Sequence, residues 1–201
     1  MTSMPRRNRV NPYGEILAVP ERGTLMGNRG VIHRDDGEQV REWQVRRWIA
    51  CRLEFKDRRR PVRQPRRWTE LFFLDEATAL AAGHRPCAEC RREDYKRWQV
   101  AWPHGETGAD AMDLVLHASR LDGKAKRTYD SALSDLPDGV IVERGGTPFL
   151  LAGGALRPWS AKGYGAAERA RGEERVTVLT PEATVATIAG GYAVSLHPSA
   201  S

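Results

Sequence analysis

Three cysteines constrain this chain more than any other feature, because two of them stand in the run Arg85-Pro86-Cys87-Ala88-Glu89-Cys90. A C-x-x-C turn sets two sulfurs on one side of a tight loop. A tetrahedral Zn2+ binds such a pair at about 2.3 Å per sulfur and leaves two positions for ligands from elsewhere. Cys51 is the expected third ligand: it lies in a strand-like segment among Arg46, Arg47 and Arg52, and a cationic setting favours the thiolate. An odd number of cysteines argues against a secreted disulfide framework. Redox use of the pair, and a buried unreactive Cys51, are the competing readings. For the fourth position His33 is the first choice, on a strand expected to pair beside the Cys51 strand, with His84 second. A hydrogen-bonded loop histidine accounts for His33 equally well, and a solvent-facing or helix-capping role suits His84.

The chain of 201 residues is long enough for a hydrophobic core without staples. The reading is an α+β protein in two lobes. Residues 1–108 form a small zinc-binding α/β lobe, and residues 109–201 a mixed lobe with a short antiparallel β-meander and two or more helices. The break is placed at the Pro/His/Gly-rich stretch from Trp102 to Gly108. In the first lobe, Gln44 to Phe55 and Leu71 to Leu74 read as strands. Asp75 stands at an N-cap position, Glu76 to Ala82 is an alanine-rich helix, and Gly83 ends it in the left-handed conformation. Arg91 to Trp102 reads as a second helix whose Tyr95, Trp98 and Trp102 form one stripe. Such spacing serves a core more often than a base-stacking platform.

The second lobe opens with a helix from Ala109 to Leu121. Strands over Val140 to Glu143, Phe149 to Leu151 and Ala155 to Trp159 are separated by Gly145-Gly146 and Gly153-Gly154, the pattern of a meander. Val176 to Leu179 reads as a strand, Thr180 as the cap of a short helix stopped by Gly190-Gly191, and Tyr192 to Leu196 as a last strand before a tail. The polar run around His117, Arg120, Lys124, Lys126 and Tyr129 supplies candidates for chemistry: His117 as general acid or base, Lys124 or Lys126 as phosphate ligand or nucleophile. Cationic residues offsetting a helix dipole explain the same run without chemistry. Lys162 and Tyr164 make a weaker cluster.

Basic residues outnumber acidic ones by 32 to 26, a net charge of +6. The excess is concentrated between residues 46 and 67. There Arg46, Arg47, Arg52, Arg58, Arg59, Arg60, Arg63, Arg66 and Arg67 form a patch suited to several phosphates, with Trp48, Phe55 and Trp68 interleaved. A solvated basic loop is the alternative.

The stretch Leu71 to Cys90, LFFLDEATALAAGHRPCAEC, resembles the metal-binding half of the Ada-type N-terminal domain of bacterial DNA-alkylation repair proteins. In that family a strand, an alanine-rich helix ending in Gly, and R-P-C-x-x-C deliver the last two zinc cysteines. Trp43 to Cys51, WQVRRWIAC, is similar to the family strand whose terminal cysteine binds zinc and accepts a methyl group from a DNA phosphotriester. The resemblance covers roughly residues 43–91, and it implies a zinc site and a reactive role for Cys51. It departs in two respects: the family's second cysteine, four positions after the acceptor, is replaced here by Phe55, and the basic insertion before Leu71 is longer.

The expected function is therefore a zinc-binding protein that binds DNA in bacterial repair or genome maintenance. An enzyme acting on modified nucleic acid by base excision or alkyl transfer, using Cys51, His117, Lys124 or Lys126, stands beside it, as does a zinc-stabilised protein-interaction module. No apolar run reaches the length of a membrane span, so no membrane partner and a cytoplasmic location are expected.

Overall fold

The computed structural model describes residues 4–56 and 66–201. The protein is α+β, built on two sheets with four helices among the described residues. The first half contributes β1 (Arg7–Val10), β2 (Ile16–Ala18), β3 (Leu25–Asn28), β4 (Ile49–Arg52) and β5 (Leu71–Phe73), then α1 (Glu76–Ala81) and β6 (Arg85–Pro86). These strands form one six-stranded sheet in the order β2-β1-β5-β3-β4-β6. The pairings β1 with β5 and β4 with β6 are parallel, and the others are antiparallel.

Two helices come next, α2 (Arg92–Ala101) and α3 (Ala109–Arg120), and then a small hairpin of β7 (Leu121–Asp122) and β8 (Ala125–Lys126). The second sheet comprises β9 (Tyr129–Ala132), β10 (Ile141–Arg144), β11 (Thr147–Ala152), β12 (Ala155–Ser160), β13 (Gly163–Tyr164), β14 (Glu168–Arg169) and β15 (Arg175–Val178). Its order is β13-β12-β11-β10-β15-β9, with β14 also on β12, and every pairing is antiparallel. The expected meander is β10-β11-β12. Both glycines of each connecting pair have positive φ, between 59° and 77°, as two-residue primed hairpin turns require. Helix α4 (Glu182–Ala189) is the last of the four.

The alanines of α1 have a packing reason. All six residues of the helix are buried. Ala79 and Ala82 pack with Val10, Ile32, Leu71 and Phe73 of the first half, while Ala77 and Ala81 pack with Ile141, Leu150 and Leu179 of the second. A helix wedged between two sheets has no solvent face, and small side chains let both sheets approach its backbone. Asp75 caps it as expected, its Oδ1 accepting from the Thr78 backbone N–H at 2.9 Å. Gly83 comes just after the helix with φ +88°, and a Cβ there would lie 2.6 Å from Arg120 Cδ. The position therefore needs glycine twice over, for its backbone and for the passage of the arginine stem.

The largest core crosses the expected lobe boundary: Leu80, Tyr95, Trp98 and Trp102 share it with Met112, Leu116, Val142, Phe149, Val178 and Tyr192. The aromatic stripe of α2 is thus core, with Trp98 edge-on to Tyr192 at a centroid distance of 5.0 Å. Four expectations need correction. Strand β4 spans only Ile49–Arg52 of the longer strand expected. Thr180 does not cap α4; its hydroxyl accepts from the Ile141 backbone N–H at 2.9 Å. Tyr192 to Leu196 is not a strand, and the closing residues are no loose tail. The Ser195 and His197 backbone N–H groups donate to Glu76 at 2.9 Å and Asp75 at 3.0 Å, pinning the segment to the start of α1.

Candidate metal centre

The parallel register of β4 and β6 assembles the cysteines. Ile49 lies beside Arg85 and Ala50 beside Pro86. The Cys87 backbone N–H then donates to the Ala50 carbonyl at 3.0 Å, which sets Cys87 next to Cys51. The turn after Cys87 brings Cys90 round, with Arg91 N–H closing on the Cys87 carbonyl at 3.1 Å to start α2. All three Sγ atoms lie within 4.8 Å of one another. Cys51 and Cys87 are buried and Cys90 is half-buried, and no disulfide joins them.

The donor chemistry suits a soft metal. Tetrahedral ligation at about 2.3 Å per bond sets sulfurs roughly 3.8 Å apart, within easy adjustment of the observed spread. Hydrogen bonds from Cys51 first and Cys90 second hold the Cys87 thiol far below its ordinary range, helped by the backbone N–H groups of Cys90 and Glu89. Cys51 moves the other way, pushed up by the Cys87 sulfur, then by Cys90 and burial. Three sulfurs this close together are a site in which a divalent cation can replace protons.

Among the described residues, no histidine or carboxylate joins this group. The expectation that His33 supplies the fourth ligand is corrected. His33 makes only an isolated bridge with Gln39, and its Nδ1 is hydrogen-bonded to the Thr69 hydroxyl. The antiparallel neighbour of β4 is β3, where Met26 rather than His33 lies opposite Cys51. His84 is not solvent-facing, but it does help to cap α1: its backbone N–H donates to the Ala79 carbonyl at 2.9 Å, next to the Gly83 N–H on the Leu80 carbonyl. It is fully buried, beside the rings of Phe73 and Trp48 at 4.6 and 5.3 Å, and its Nε2 accepts from Arg29 Nε at 3.3 Å.

The three sulfurs open on a cleft of about 480 Å³, lined also by Phe55, Trp68, Phe72 and the carboxylates Glu54, Glu70 and Glu89. Phe55 thus stands in the cleft that holds Cys51. Of the expected phosphate ligands, Arg46, Arg47, Arg52, Arg66 and Arg67 are exposed, and Arg52 directly follows Cys51 on β4. Arg58, Arg59, Arg60 and Arg63 lie outside the described residues.

The candidates from the second half lie at a different place. A cleft of about 520 Å³ is lined by Lys124 and Lys126 together with Arg29, Arg120, Trp43 and Trp48. His117 borders it through its contacts: its ring is edge-on to Trp43 at 4.7 Å, and its Nδ1 lies 3.0 Å from Arg120 Nη2. Burial, then Arg120 and Arg46, lowers the proton affinity of His117. Sequence reasoning missed Arg29 and Trp48 as parts of this group. Tyr164 is buried with its hydroxyl on Asp75, at 3.1 and 3.0 Å to the two carboxylate oxygens, so it serves the helix cap.

No protein-family model, curated protein or solved structure matches the chain. Among the described residues, no helix is long and apolar enough to cross a membrane.

Proposed function

We propose that the chain is a zinc-binding protein that binds DNA, in repair or genome maintenance, with Cys51, Cys87 and Cys90 as metal ligands. The observation that carries this reading is the convergence of three sulfurs within 4.8 Å, one of them, Cys51, directly followed on β4 by the exposed Arg52. Three thiolates suit zinc, and the exposed Arg46, Arg47, Arg52, Arg66 and Arg67 suit the phosphate backbone. In this reading the metal holds β4, β6 and the start of α2 together, and the arginines engage the duplex without reading its sequence.

The test joins metal analysis to DNA binding. The purified protein is expected to carry one zinc per chain and to bind duplex DNA with an affinity that falls steeply with salt. Each phosphate contact removed, for example by Arg46→Ala or Arg47→Ala, lowers the slope of log affinity against log salt by about one. A folded, reduced protein with no metal sinks the zinc half of the reading. Absence of DNA binding at low salt sinks the other half.

One observation favours a second reading. Three protein ligands leave a tetrahedral metal one open position, and here the sulfurs face a sizeable cleft. Structural zinc sites are closed, whereas reactive ones keep a position open. Cys51 would then accept an alkyl group: its sulfur forms a bond to the alkyl carbon as the carbon–oxygen bond of a DNA phosphotriester breaks, and the electron pair stays on the phosphate. Incubation with methylated DNA and then peptide mass spectrometry decides it, by a methyl increment on the Cys51 peptide or none.

A further inference from the structure

The buried guanidiniums of this protein fall into two classes. Arg85 is joined to Asp113, and Arg91 to Glu76 and Asp94, each at 2.6–2.9 Å. Arg29 and Arg120, each 2 % exposed, form no ion pair among the described residues. Arg29 donates to the Gly14 carbonyl at 2.9 Å and to His84, and Arg120 to the Gly83 carbonyl at 2.9 Å and to the carbonyl of Arg46. Lys126 joins them, its Nζ donating to the Ala81 carbonyl at 2.6 Å. All these acceptors are neutral. Arg29 Nη2 and Arg120 Nε are buried with no partner among the described residues.

The same ring orders both guanidiniums, since they lie over Trp48 at 4.1 and 4.0 Å from the ring centroid. Their crowding is felt. Burial lowers the proton affinity of Arg29, Arg120 and Lys126; Glu42 opposes this in part for Arg29 and Asp113 for Arg120, while Arg29 depresses that of the other two. Three carboxylates also line the cleft, Glu15, Glu42 and Glu143. Each has another partner: Asn11 for Glu15 at 2.8 Å, Gln39 for Glu42 at 3.1 Å and Tyr13 for Glu143 at 2.7 Å. With these neutral partners the carboxylates keep their charge and offset the cations in part, but the unpartnered buried N–H donors of Arg29 and Arg120 remain a cost. An anionic ligand supplies acceptors for them.

We propose that this cleft is a binding site for the phosphate group of a small ligand, seated on Arg29, Arg120 and Lys126, with Lys124 at the rim. Several converging donors suit the oxygens of a phosphate better than the two of a carboxylate. The volume of about 520 Å³ exceeds what one phosphate fills, and Tyr13 and Trp43 line the remainder, so the space suits a phosphomonoester with a flat organic body. The site lies apart from the cysteines and does not depend on their reading.

The test is calorimetric titration of the full chain with inorganic phosphate, with adenosine 5′-monophosphate and with acetate at matched ionic strength. Adenosine monophosphate bound at least about tenfold tighter than phosphate, a difference of about 1.4 kcal/mol, identifies a phosphomonoester site. Equal affinities for the two identify free phosphate. Acetate binding as well as either, or no binding of the phosphates at millimolar concentration, overturns the proposal. The variants Lys126→Met and Lys124→Met are expected to weaken phosphate binding, Lys126→Met by about tenfold or more. Unchanged affinity in both variants, shown folded by circular dichroism and with metal content as in the parent, also overturns it.

Discussion

The Arg85 guanidinium grips the Asp113 carboxylate through two parallel hydrogen bonds, Nε to Oδ1 at 2.9 Å and Nη2 to Oδ2 at 2.7 Å. Both side chains are buried. The pair ties the strand that precedes Cys87 to α3, so the C-x-x-C turn is fixed against the second half of the chain. Burial pushes the Asp113 carboxyl upward and Arg85 opposes that shift without cancelling it, so the pair orients more than it stabilises. Asp113→Ala, which strands a buried cation, is expected to cost about 3–5 kcal/mol in urea unfolding. The double change Arg85→Met with Asp113→Leu is expected to recover most of that loss. A double variant no more stable than the single one refutes the argument.

Removal of any one sulfur is expected to abolish stoichiometric metal binding. Cys51→Ala, Cys87→Ala and Cys90→Ala each leave two thiols, too few to hold zinc in competition with a chromogenic chelator. His33→Ala retains its metal, because His33 is committed to Thr69. Zinc content after dialysis is the measurement, and loss of zinc in His33→Ala is the result that contradicts the geometry. Chelation of the parent protein is expected to lower its Tm, since a ligand that binds only the folded state stabilises it by mass action.

Asp75 carries more than a helix cap. Its carboxylate accepts from the Thr78 backbone and hydroxyl, from the Tyr164 hydroxyl and from the His197 backbone N–H. Asp75→Ala strands these buried donors and is expected to cost about 3 kcal/mol or more, whereas Tyr164→Phe removes one bond for about 1 kcal/mol. Chemical denaturation of the two variants compares them directly. A similar small loss in both makes Asp75 an ordinary cap.

Lys126 gives the protein a signature in alkali. Burial, then Arg29, brings its ammonium from the usual 10.5 down to about 7. Between about pH 7 and 10.5 the unfolded chain therefore binds more protons at this residue than the folded one, and stability rises with pH across that window. Below about pH 7 both states are protonated and the full burial penalty applies. Lys126→Met is expected to flatten this slope; unfolding free energies of parent and variant at about pH 7 and about pH 9 give the difference. A parallel pH dependence in the two proteins places the lysine in water.

Much of the metal centre was legible in the sequence because its signals are local. C-x-x-C, the Asp75 cap, the alanine-rich helix, the Gly83 stop and the paired glycines of the meander each act within a few residues. Cys51 was legible as the one remaining thiol. The position of His33 was not, because it depends on which strand pairs with β4, and β3 has only four residues with no clear alternation of burial. The group around Trp48 was hidden for the same reason. Arg29, Trp48 and Arg120 come from separate parts of the chain, and nothing near any of them in sequence announces that two arginines share one ring.

The carboxylates at the start of α1 also set an order of events during synthesis. Asp75 and Glu76 emerge from the ribosome long before Tyr192, Ser195 and His197, which supply a hydroxyl and two backbone donors to them. Until those residues arrive, two acidic side chains destined for burial have only part of their final shell, and water must supply the rest. A nascent chain can therefore form the C-x-x-C turn early but cannot bury α1 at full strength. This later stretch locks the helix that lies between the two sheets.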